Sequence, residues 1–169
     1  METIFDVVMR RDAQVTLHRF INYFKGFGKV GAVRELFGDE TEKVLNNLKV
    51  EFGSRRGYMG VSDEDGHLII SAPYLRDGDE REIYLDIIHE LVHVKQFKNG
   101  LELQDARFRY SYRPTEIEAF AHTVKEARRI GIRSSNPFLD DQGSSANKKW
   151  GMVYATNWHI TSGRVELIP

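Results

Sequence analysis

The chain has 169 residues, of which 41% are hydrophobic, 29% charged and 11% aromatic, and it contains no cysteine. This length suits one domain with a sizeable buried core. The 24 Lys and Arg residues almost balance the 25 Asp and Glu residues, which argues against a strongly basic nucleic-acid-binding arm and against an acidic disordered tail. Without cysteine, disulfides, thiolate zinc sites and cysteine nucleophiles are excluded, so a transition metal would need His, Asp or Glu ligands.

The amino-terminal residues carry no recognisable targeting segment. Charges at Glu2, Asp6 and Arg10 interrupt the first apolar run before a signal-like stretch can form. Apolar runs elsewhere fall far short of the roughly 20 residues that span a bilayer. We therefore expect a cytoplasmic protein with no membrane partner.

The first part of the chain, to about residue 48, has the periodicity of short helices. Apolar residues at spacings of three and four predict a helix from Asp12 to Tyr23, which ends at Gly26. Further helices are predicted over Ala32–Leu36 and Thr41–Leu48, with Thr41 as a candidate N-cap. These elements form a predicted N-terminal helical segment.

The next block of sequence changes to the period of β-strands. Val50–Gly53, Gly57–Val61 and His67–Ala72 are predicted as short strands, and Asp63–Gly66 has the composition of a tight turn. An antiparallel hairpin or a three-stranded sheet follows from this pattern. Pro73 favours an edge position or a strand end over a central position.

Two well-specified helices follow the strands. The first runs from Asp79 to Phe97, with acidic residues near its N-terminus, lysines near its C-terminus, and Asn99–Gly100 to end it. The second begins near Pro114 and ends at Gly131. From residue 132 to residue 169 the chain is rich in Ser, Asn, Gly and Asp, which predicts a loop-rich C-terminal segment. We expect one α+β domain over residues 1–169, with a small antiparallel or mixed sheet packed on these helices.

The first of the two helices carries the sequence His89-Glu90-Leu91-Val92-His93. Residues four apart share one helix face, so both imidazoles can reach one metal ion. Glu90 lies one position further round, where its carboxylate can accept a proton from a metal-activated water without itself binding the metal. The simpler alternative is two histidines on an ordinary helix, hydrogen-bonded or exposed. The uncharged neighbours of the motif and the absence of proline favour the metal site.

A catalytic zinc site needs a third protein ligand and an open position. Gln96 and Asn99 stand where the extended pattern H-E-x-x-H-x-x-G-x-x-H requires Gly and His, so the third ligand must lie elsewhere. The stronger candidates are Glu116 and Glu118 on the second helix, because Asp105 follows the helix end in a loop. Positions two apart on a helix point roughly 200° from each other, so only one of the two glutamates can bind.

The residues alone leave the choice between Glu116 and Glu118 open. Thr115 and Glu118 have the spacing of a capping box, in which Glu118 would only cap the helix. Glu116 lies nearer the apolar stripe that includes Phe120, which favours Glu116. The small Ala119 next to Glu118 allows close helix approach, which favours Glu118.

This arrangement resembles the gluzincin-type zincin metallopeptidases, in which a sheet precedes an H-E-x-x-H helix and a second helix donates a glutamate. In several of those families a small residue follows the glutamate, as in E-[AG]-x-[AS], and Glu118-Ala119-Phe120-Ala121 matches this pattern. The resemblance covers about residues 50 to 130. It departs at His122, where some families have an acidic residue that supports a metal-bound histidine.

The resemblance implies a zincin-like α+β fold and a Zn²⁺ ion held by His89, His93 and Glu118. With Glu90 as general base, such a protein would be a zinc metallopeptidase that hydrolyses a peptide or protein substrate through metal-activated water. An alternative is a catalytically latent or inactive module that binds a protein partner, with structural zinc or with a cleft blocked by the C-terminal segment.

A third interpretation, a DNA-binding regulator, lacks the basic stripe that it would need. The basic residues of the second helix and beyond spread over several faces, which is typical of a solvated surface, and they are Lys125, Arg128, Arg129 and Arg133. We therefore expect no nucleic-acid partner. The sequence does not indicate an oligomeric state.

A few further residues and one strand are weaker candidates for the site. Tyr110 and Tyr112 precede the second helix, where a hydroxyl could stabilise an oxyanion, although packing is the favoured interpretation. The strand His67–Ala72 lies where zincins place an edge strand, which could pair with an extended peptide. His18 and His159 are predicted to be surface or packing residues.

Overall fold

A four-stranded mixed sheet lies at the centre of the computed structural model, which describes residues 16–54, 58–131, 158–161 and 164–167. The strands are β1 (His18–Arg19), β2 (Lys49–Gly53), β3 (Met59–Val61) and β4 (Leu68–Ser71). Their order across the sheet is β1-β2-β4-β3. β4 therefore lies between β2, to which it runs parallel, and β3, to which it runs antiparallel.

Four short helices and two long ones accompany this sheet in the described part of the chain. The short helices are α1 (Phe20–Tyr23), α2 (Gly31–Phe37), α3 (Thr41–Asn47) and α4 (Ala72–Asp77). The long helices are α5 (Glu80–Lys98) and α6 (Pro114–Arg129). Short 3-10 turns cover Phe27–Lys29, Gly38–Glu40 and Tyr110–Tyr112.

The hydrophobic core lies between the sheet and α5. Alternate residues of β4, Leu68 and Ile70, are fully buried on one face of the sheet, as the strand period requires. On α5 the apolar residues Ile88 and Leu91 are also fully buried and belong to the same cluster. This packing fixes α5 against the sheet along the length that carries the two histidines.

α6 packs on the opposite side of α5 through a face of small and medium-sized residues. Ala119 and Ala127 are completely buried, and so is most of Phe120. The Tyr84 hydroxyl of α5 also donates a hydrogen bond to the buried carboxylate of Glu126, which accepts a further bond from Arg129. The architecture is therefore the predicted α+β class, with a mixed sheet on a histidine-bearing helix and a glutamate-bearing helix behind it.

The two long helices occur almost where the sequence predicts them. The Asp79 side chain caps α5 by accepting hydrogen bonds from the backbone N–H groups of Arg81 and Glu82. α6 begins at Pro114, whose missing N–H costs nothing in a first helical turn. The predicted tight turn also joins β3 to β4.

The predicted helix over Asp12–Tyr23 is wrong for its described part before Phe20. His18 and Arg19 form β1, which pairs antiparallel with Val50 and Lys49 of β2. This long-range pairing outweighs the helical spacing of the apolar residues, which extends only over α1. Residues 12–15 lie outside the described residues. In α3, Thr41 is already in the first turn, and Glu40 precedes the helix as its N-cap.

The strand that was predicted at the sheet edge is central instead. β4 has a hydrogen-bonded neighbour on each side, and the two edges of the sheet in the described residues are β1 and β3. Pro73 does not lie in the strand, because it falls in the first turn of α4, which the Ser71 side chain caps. The prediction failed because the parallel pairing of β2 with β4 is not visible in local sequence.

The described part of the C-terminal segment is an antiparallel hairpin of β5 (Trp158–Thr161) and β6 (Arg164–Leu167). The loop-rich segment predicted from residue 132 lies outside the described residues as far as residue 157. A search of the described helices finds none with both the length and the apolar character that crossing a bilayer requires.

Candidate metal centre

Two histidines of α5 face the same point between α5 and α6. His89 and His93 are four residues apart, and their Nε2 atoms lie 3.1 Å from each other. The Phe120 ring of α6 packs against the His89 ring at 4.6 Å between centroids. The helix spacing therefore brings both imidazoles together, and the Phe120 ring holds that of His89 in place.

A carboxylate from α6 completes the group. Oε2 of Glu116 lies 3.2 Å from Nε2 of His89 and 3.4 Å from Nε2 of His93. All three residues are buried, with exposed fractions of 4% for His89, 6% for His93 and 5% for Glu116. Together they form a group that could hold a metal ion.

The spacing of these three atoms fits a tetrahedral metal ion. With metal–ligand bonds of about 2.0–2.1 Å, neighbouring donors of a tetrahedral zinc site lie roughly 3.3 Å apart. The three observed separations run from 3.1 to 3.4 Å. Two imidazoles and one carboxylate are also the usual protein ligands of catalytic zinc, which leaves one coordination position for water or substrate.

The structure brings Glu116, and not Glu118, to the histidines. Glu118 has a side chain that is 48% exposed, and its Oε1 lies 3.7 Å from Nζ of Lys95. Its Oε2 accepts a hydrogen bond of 2.8 Å from Nε2 of Gln96. The two glutamates differ because Glu116 shares a face of α6 with buried Phe120, whereas Glu118 is rotated towards the rim of the helix pair.

The proposed capping role of Glu118 does not occur either. α6 starts one residue before Thr115, with Arg113 in the N-cap position and no side-chain cap. Thr115 is buried, and its backbone carbonyl accepts a hydrogen bond of 2.9 Å from Nε2 of Gln96. Pro114 is the reason for this register, because proline favours the first position of a helix.

The charges of the centre support an ionised glutamate. Burial raises the pKa of Glu116, but the hydrogen bonds with His89 and His93 outweigh burial and lower the pKa to about 2. Burial likewise lowers the pKa of His93, but its hydrogen bond with Glu116 and the charges of Glu90 and Glu116 leave that pKa raised. Glu116 is therefore ionised at neutral pH and could offer a negatively charged oxygen to a metal ion.

Gln96 is a further residue of the centre. In the sequence it is notable only because it stands at the Gly position of the longer pattern H-E-x-x-H-x-x-G-x-x-H. Its side chain is almost completely buried, and Oε1 lies 2.7 Å from Nδ1 of His93. The signal in the sequence is its spacing, because Gln96 lies three residues after His93 and therefore on the same face of α5.

A cavity of about 230 Å³ adjoins two of the three donors, His93 and Glu116. Glu90, which is buried at the predicted catalytic position, lines it together with His93, Glu116 and Tyr110. The remaining lining comes from the edge strand β3 and from the segment after α5, and it consists of Tyr58, Met59, Gly60, Val61, Leu103 and Gln104.

Tyr110 belongs to this centre, whereas Tyr112 does not line the cavity. Tyr110 as a whole is half-exposed, yet its hydroxyl group hydrogen-bonds with Glu116. Burial of the hydroxyl and the charges of Glu116 and Glu90 raise the pKa of Tyr110 well above its usual range. The hydroxyl therefore keeps its proton and remains a donor.

His122 lies away from the metal centre. Its Nε2 is 2.9 Å from the carbonyl oxygen of Ala32, so the ring joins α6 to α2. Burial lowers the pKa of His122 and favours the neutral ring. His18 packs against the rings of Tyr23 and Phe52, as predicted for a packing residue. His159 lies in β5.

The other candidates make ion pairs outside the centre. Asp105 pairs with Arg107 at 2.7 Å, and Lys125 pairs with Glu35 at 2.7 Å. Arg129 pairs with Glu126 in the preceding turn of α6. Arg133 lies outside the described residues. In the described chain these contacts agree with a solvated face for the basic run.

Comparison with known proteins adds no family to this description. No family model matches the chain, and no curated protein and no solved structure matches it either. The buried His89, His93 and Glu116 group, on two helices behind a mixed sheet, is therefore the feature from which a function can be argued.

Proposed function

We propose that this chain is a zinc metallopeptidase that hydrolyses peptide bonds. The observation that carries the proposal is the position of Glu90, which lines the same cavity as His93 and Glu116. A buried carboxylate beside a set of metal donors is the arrangement that activation of a water molecule requires. A purely structural metal site has no need of it.

His89, His93 and Glu116 would hold the ion. Zinc in such a site supplies a Lewis acid that polarises a carbonyl group and lowers the pKa of a water molecule. The donor set also contributes only one negative charge, so a bound Zn²⁺ keeps a net positive charge towards the cavity. The cavity is therefore suited to a reaction in which negative charge develops on a substrate oxygen.

Glu90 would move the proton. Its carboxylate accepts the proton of the attacking water and then delivers it to the leaving amine nitrogen. The adjacent helix position of His89 keeps Glu90 beside the donors without placing it among them. Burial keeps this carboxylate away from bulk solvent, where proton exchange with water would compete.

Two further features of the cavity suit a peptide substrate. The Tyr110 hydroxyl, at the wall of the cavity, would turn its single proton from Glu116 to the oxygen of the attacked carbonyl. β3 lines another wall and is an edge strand of the described sheet. An extended peptide could therefore add to this edge through backbone hydrogen bonds.

The experiment compares wild type with Glu90→Gln for zinc content and for hydrolysis of a mixed peptide library. The amide keeps the size of the side chain but cannot accept the proton, so we expect zinc binding to persist and hydrolysis to fall about 10²–10⁴-fold. Glu80→Gln, an exposed carboxylate of the same helix, is the matched control and should hydrolyse like wild type.

Two results would overturn the proposal. One is wild-type protein that binds no zinc, and the other is a Glu90→Gln variant that hydrolyses peptides at the wild-type rate. Zinc binding without hydrolysis in wild type would favour the latent or protein-binding module instead.

A further inference from the structure

Gln96 connects the two helices that carry the metal donors. Its side chain is 1% exposed and makes three hydrogen-bond contacts at once. Oε1 lies 2.7 Å from Nδ1 of His93, while Nε2 donates to the carbonyl oxygen of Thr115 at 2.9 Å and to Oε2 of Glu118 at 2.8 Å. Every hydrogen-bonding atom of this amide is therefore engaged with a residue of the centre or its immediate neighbour.

These contacts fix which way the amide points. Thr115 offers a carbonyl oxygen and Glu118 offers a carboxylate oxygen, and both can only accept hydrogen bonds. A flipped amide would place its own oxygen against both acceptors, with a cost at each contact. The two acceptors on α6 therefore direct Oε1 of Gln96 towards His93.

The orientation of the amide decides where the proton of His93 resides. Because Oε1 can only accept, Nδ1 of His93 has to donate. A neutral ring then carries its lone pair on Nε2, which faces His89 and Glu116. This is the form of the imidazole that binds a metal ion.

The same residue also sets the position of Glu116. The two acceptors of Nε2 are at positions 115 and 118, on either side of Glu116 along the first turn of α6. By holding both, Gln96 fixes that turn against α5. The distance of 3.4 Å between the Glu116 carboxylate and His93 depends on this spacing of the helices.

We propose that Gln96, held by Glu118, is the positioning residue of the metal centre. It keeps the proton of His93 on Nδ1, directs the Nε2 lone pair to the metal, and holds the first turn of α6 so that Glu116 reaches the histidines. Glu118 thus supports the metal through an amide, without being a ligand. The inference rests on the metal-binding part of the proposed function and not on peptidase activity.

The first test measures Zn²⁺ affinity by competition with a chromophoric chelator. Gln96→Leu removes all three contacts at similar volume and should weaken zinc binding about 10–100-fold, as loss of a residue that orients a metal ligand does. Gln96→Glu keeps an acceptor for His93 but sets a carboxylate against Glu118 and the Thr115 carbonyl, so it should also weaken binding.

The exchange of the two side chains gives a rescue that a merely structural role does not predict. In the double variant Gln96→Glu and Glu118→Gln, the amide at position 118 can donate to the carboxylate at position 96, which still accepts from His93. We expect it to recover part of the affinity lost in Gln96→Glu, because the contact with position 118 is restored while the Thr115 carbonyl still faces a carboxylate. Glu35→Leu, which removes another half-exposed glutamate paired with a lysine, is the control and should bind zinc like wild type.

The second test observes the His93 ring directly by ¹⁵N NMR of the protein without added metal. Without a metal, Nε2 of His93 can also carry a proton, because it faces the Glu116 carboxylate. Wild type should therefore carry a proton on Nδ1, with or without a second proton on Nε2, and Gln96→Leu should show rings that are protonated on Nε2 alone. A wild-type ring that is protonated on Nε2 alone, or wild-type zinc affinity in Gln96→Leu, would overturn the inference. If wild type bound no zinc, the proposed function would fail, while the NMR measurement would still decide the role of Gln96.

Discussion

Two clusters in this molecule combine histidine with carboxylates, and they are built in opposite ways. At the turn between β3 and β4, His67 has Oδ1 of Asp65 at 2.5 Å from Nδ1 and Oε2 of Glu51 at 3.1 Å from Nε2. At the metal centre, His93 has an amide oxygen at Nδ1, and it has an imidazole nitrogen and a carboxylate oxygen at Nε2.

The difference shows which histidine environment suits a metal ion. Each ring nitrogen of His67 faces a carboxylate oxygen of its own, so the two carboxylates lie on opposite sides of the ring and do not converge on one nitrogen. His93 has an acceptor on one side and a convergence of lone pairs on the other, which a cation can satisfy. The direction of the hydrogen bonds, and not the number of carboxylates, therefore distinguishes the metal centre from an ion pair.

The largest expected effect is the gain in free energy of unfolding that zinc gives, which should depend on His93 and not on His67. At a free zinc concentration of 1,000 times Kd, wild type should gain about 4 kcal/mol in free energy of unfolding. His67→Gln should gain the same amount, whereas His93→Gln should gain almost nothing because it loses a donor. Denaturant unfolding with and without zinc measures both, and an equal response of the two variants would contradict the comparison.

A substitution of Phe120 tests whether the metal centre depends on packing, in contrast to His67, which is held by carboxylates. Phe120→Ala opens a cavity beside His89 and should lower the free energy of unfolding by about 3–4 kcal/mol. It should also weaken zinc binding, because His89 loses its aromatic wall. Urea unfolding and chelator competition measure the two effects. Loss of stability with unchanged zinc affinity would show that His89 is oriented by other contacts.

Gly66 tests the turn that carries the His67 cluster. Its φ of +77° is in the left-handed region, and a Cβ there would clash with the Phe97 ring. Gly66→Ala should therefore lower the free energy of unfolding by about 2 kcal/mol. Chemical unfolding measures this loss. Zinc affinity should stay as in wild type, and a clear change would mean that the two clusters are coupled.

The smallest effect is a pH dependence at Asp65. Burial raises the pKa of Asp65, but the hydrogen bonds from the His67 ring and backbone outweigh burial and leave the pKa lowered. Because the folded pKa is the lower one, the stabilisation is present above the unfolded pKa of about 4 and is lost as pH falls through the folded pKa.

Asp65→Asn should remove this part of the pH dependence. Its side chain is 54% exposed in wild type, so solvent screening limits the difference to less than about 1 kcal/mol. Between pH 3 and pH 6 the free energy of unfolding, measured with denaturant, should change slightly less with pH in the variant than in wild type. A larger change with pH in the variant would mean that Asp65 is destabilising in the folded protein.

The sequence was sufficient for the part of the centre that lies on one helix. His89, Glu90 and His93 depend only on the geometry of a single helix, and the charges and turn residues around α5 specify that helix well. α6 and the turn before β4 were also predictable, because their signals are local. The α+β class followed from the order of these elements.

The choice between Glu116 and Glu118 depended on how two helices face each other. Ala119 does mark close helix approach, because it is completely buried. It is, however, three residues from Glu116 and therefore marks the face of Glu116, whereas the adjacent Glu118 is rotated by about 100°. The family pattern places a small residue directly after the metal-binding glutamate, which favoured Glu118 as the ligand over Glu116, although Glu116 lies nearer the apolar stripe.

The remaining errors concern contacts between distant parts of the chain. The pairing of β1 with β2 leaves no local trace, so β1 was predicted as helix. The zincin resemblance placed β4 at an edge, and its parallel pairing with β2 leaves no local trace either. The role of Gln96 is equally non-local, since two of its three partners are on α6. Pairings of this kind are decided by tertiary structure, which local sequence patterns do not contain.

The central position of β4 has a consequence for how the protein reaches its native state. The hairpin of β4 with β3 needs only a short turn and can form within microseconds. The parallel pairing of β4 with β2 is slower, because the chain that connects these two strands includes the whole of β3. Until β2 docks, the apolar stretch Leu68–Ser71 presents an open backbone edge to other chains. Refolding yield should therefore fall as protein concentration rises, and the stage most prone to aggregation should be the one before β2 joins the sheet.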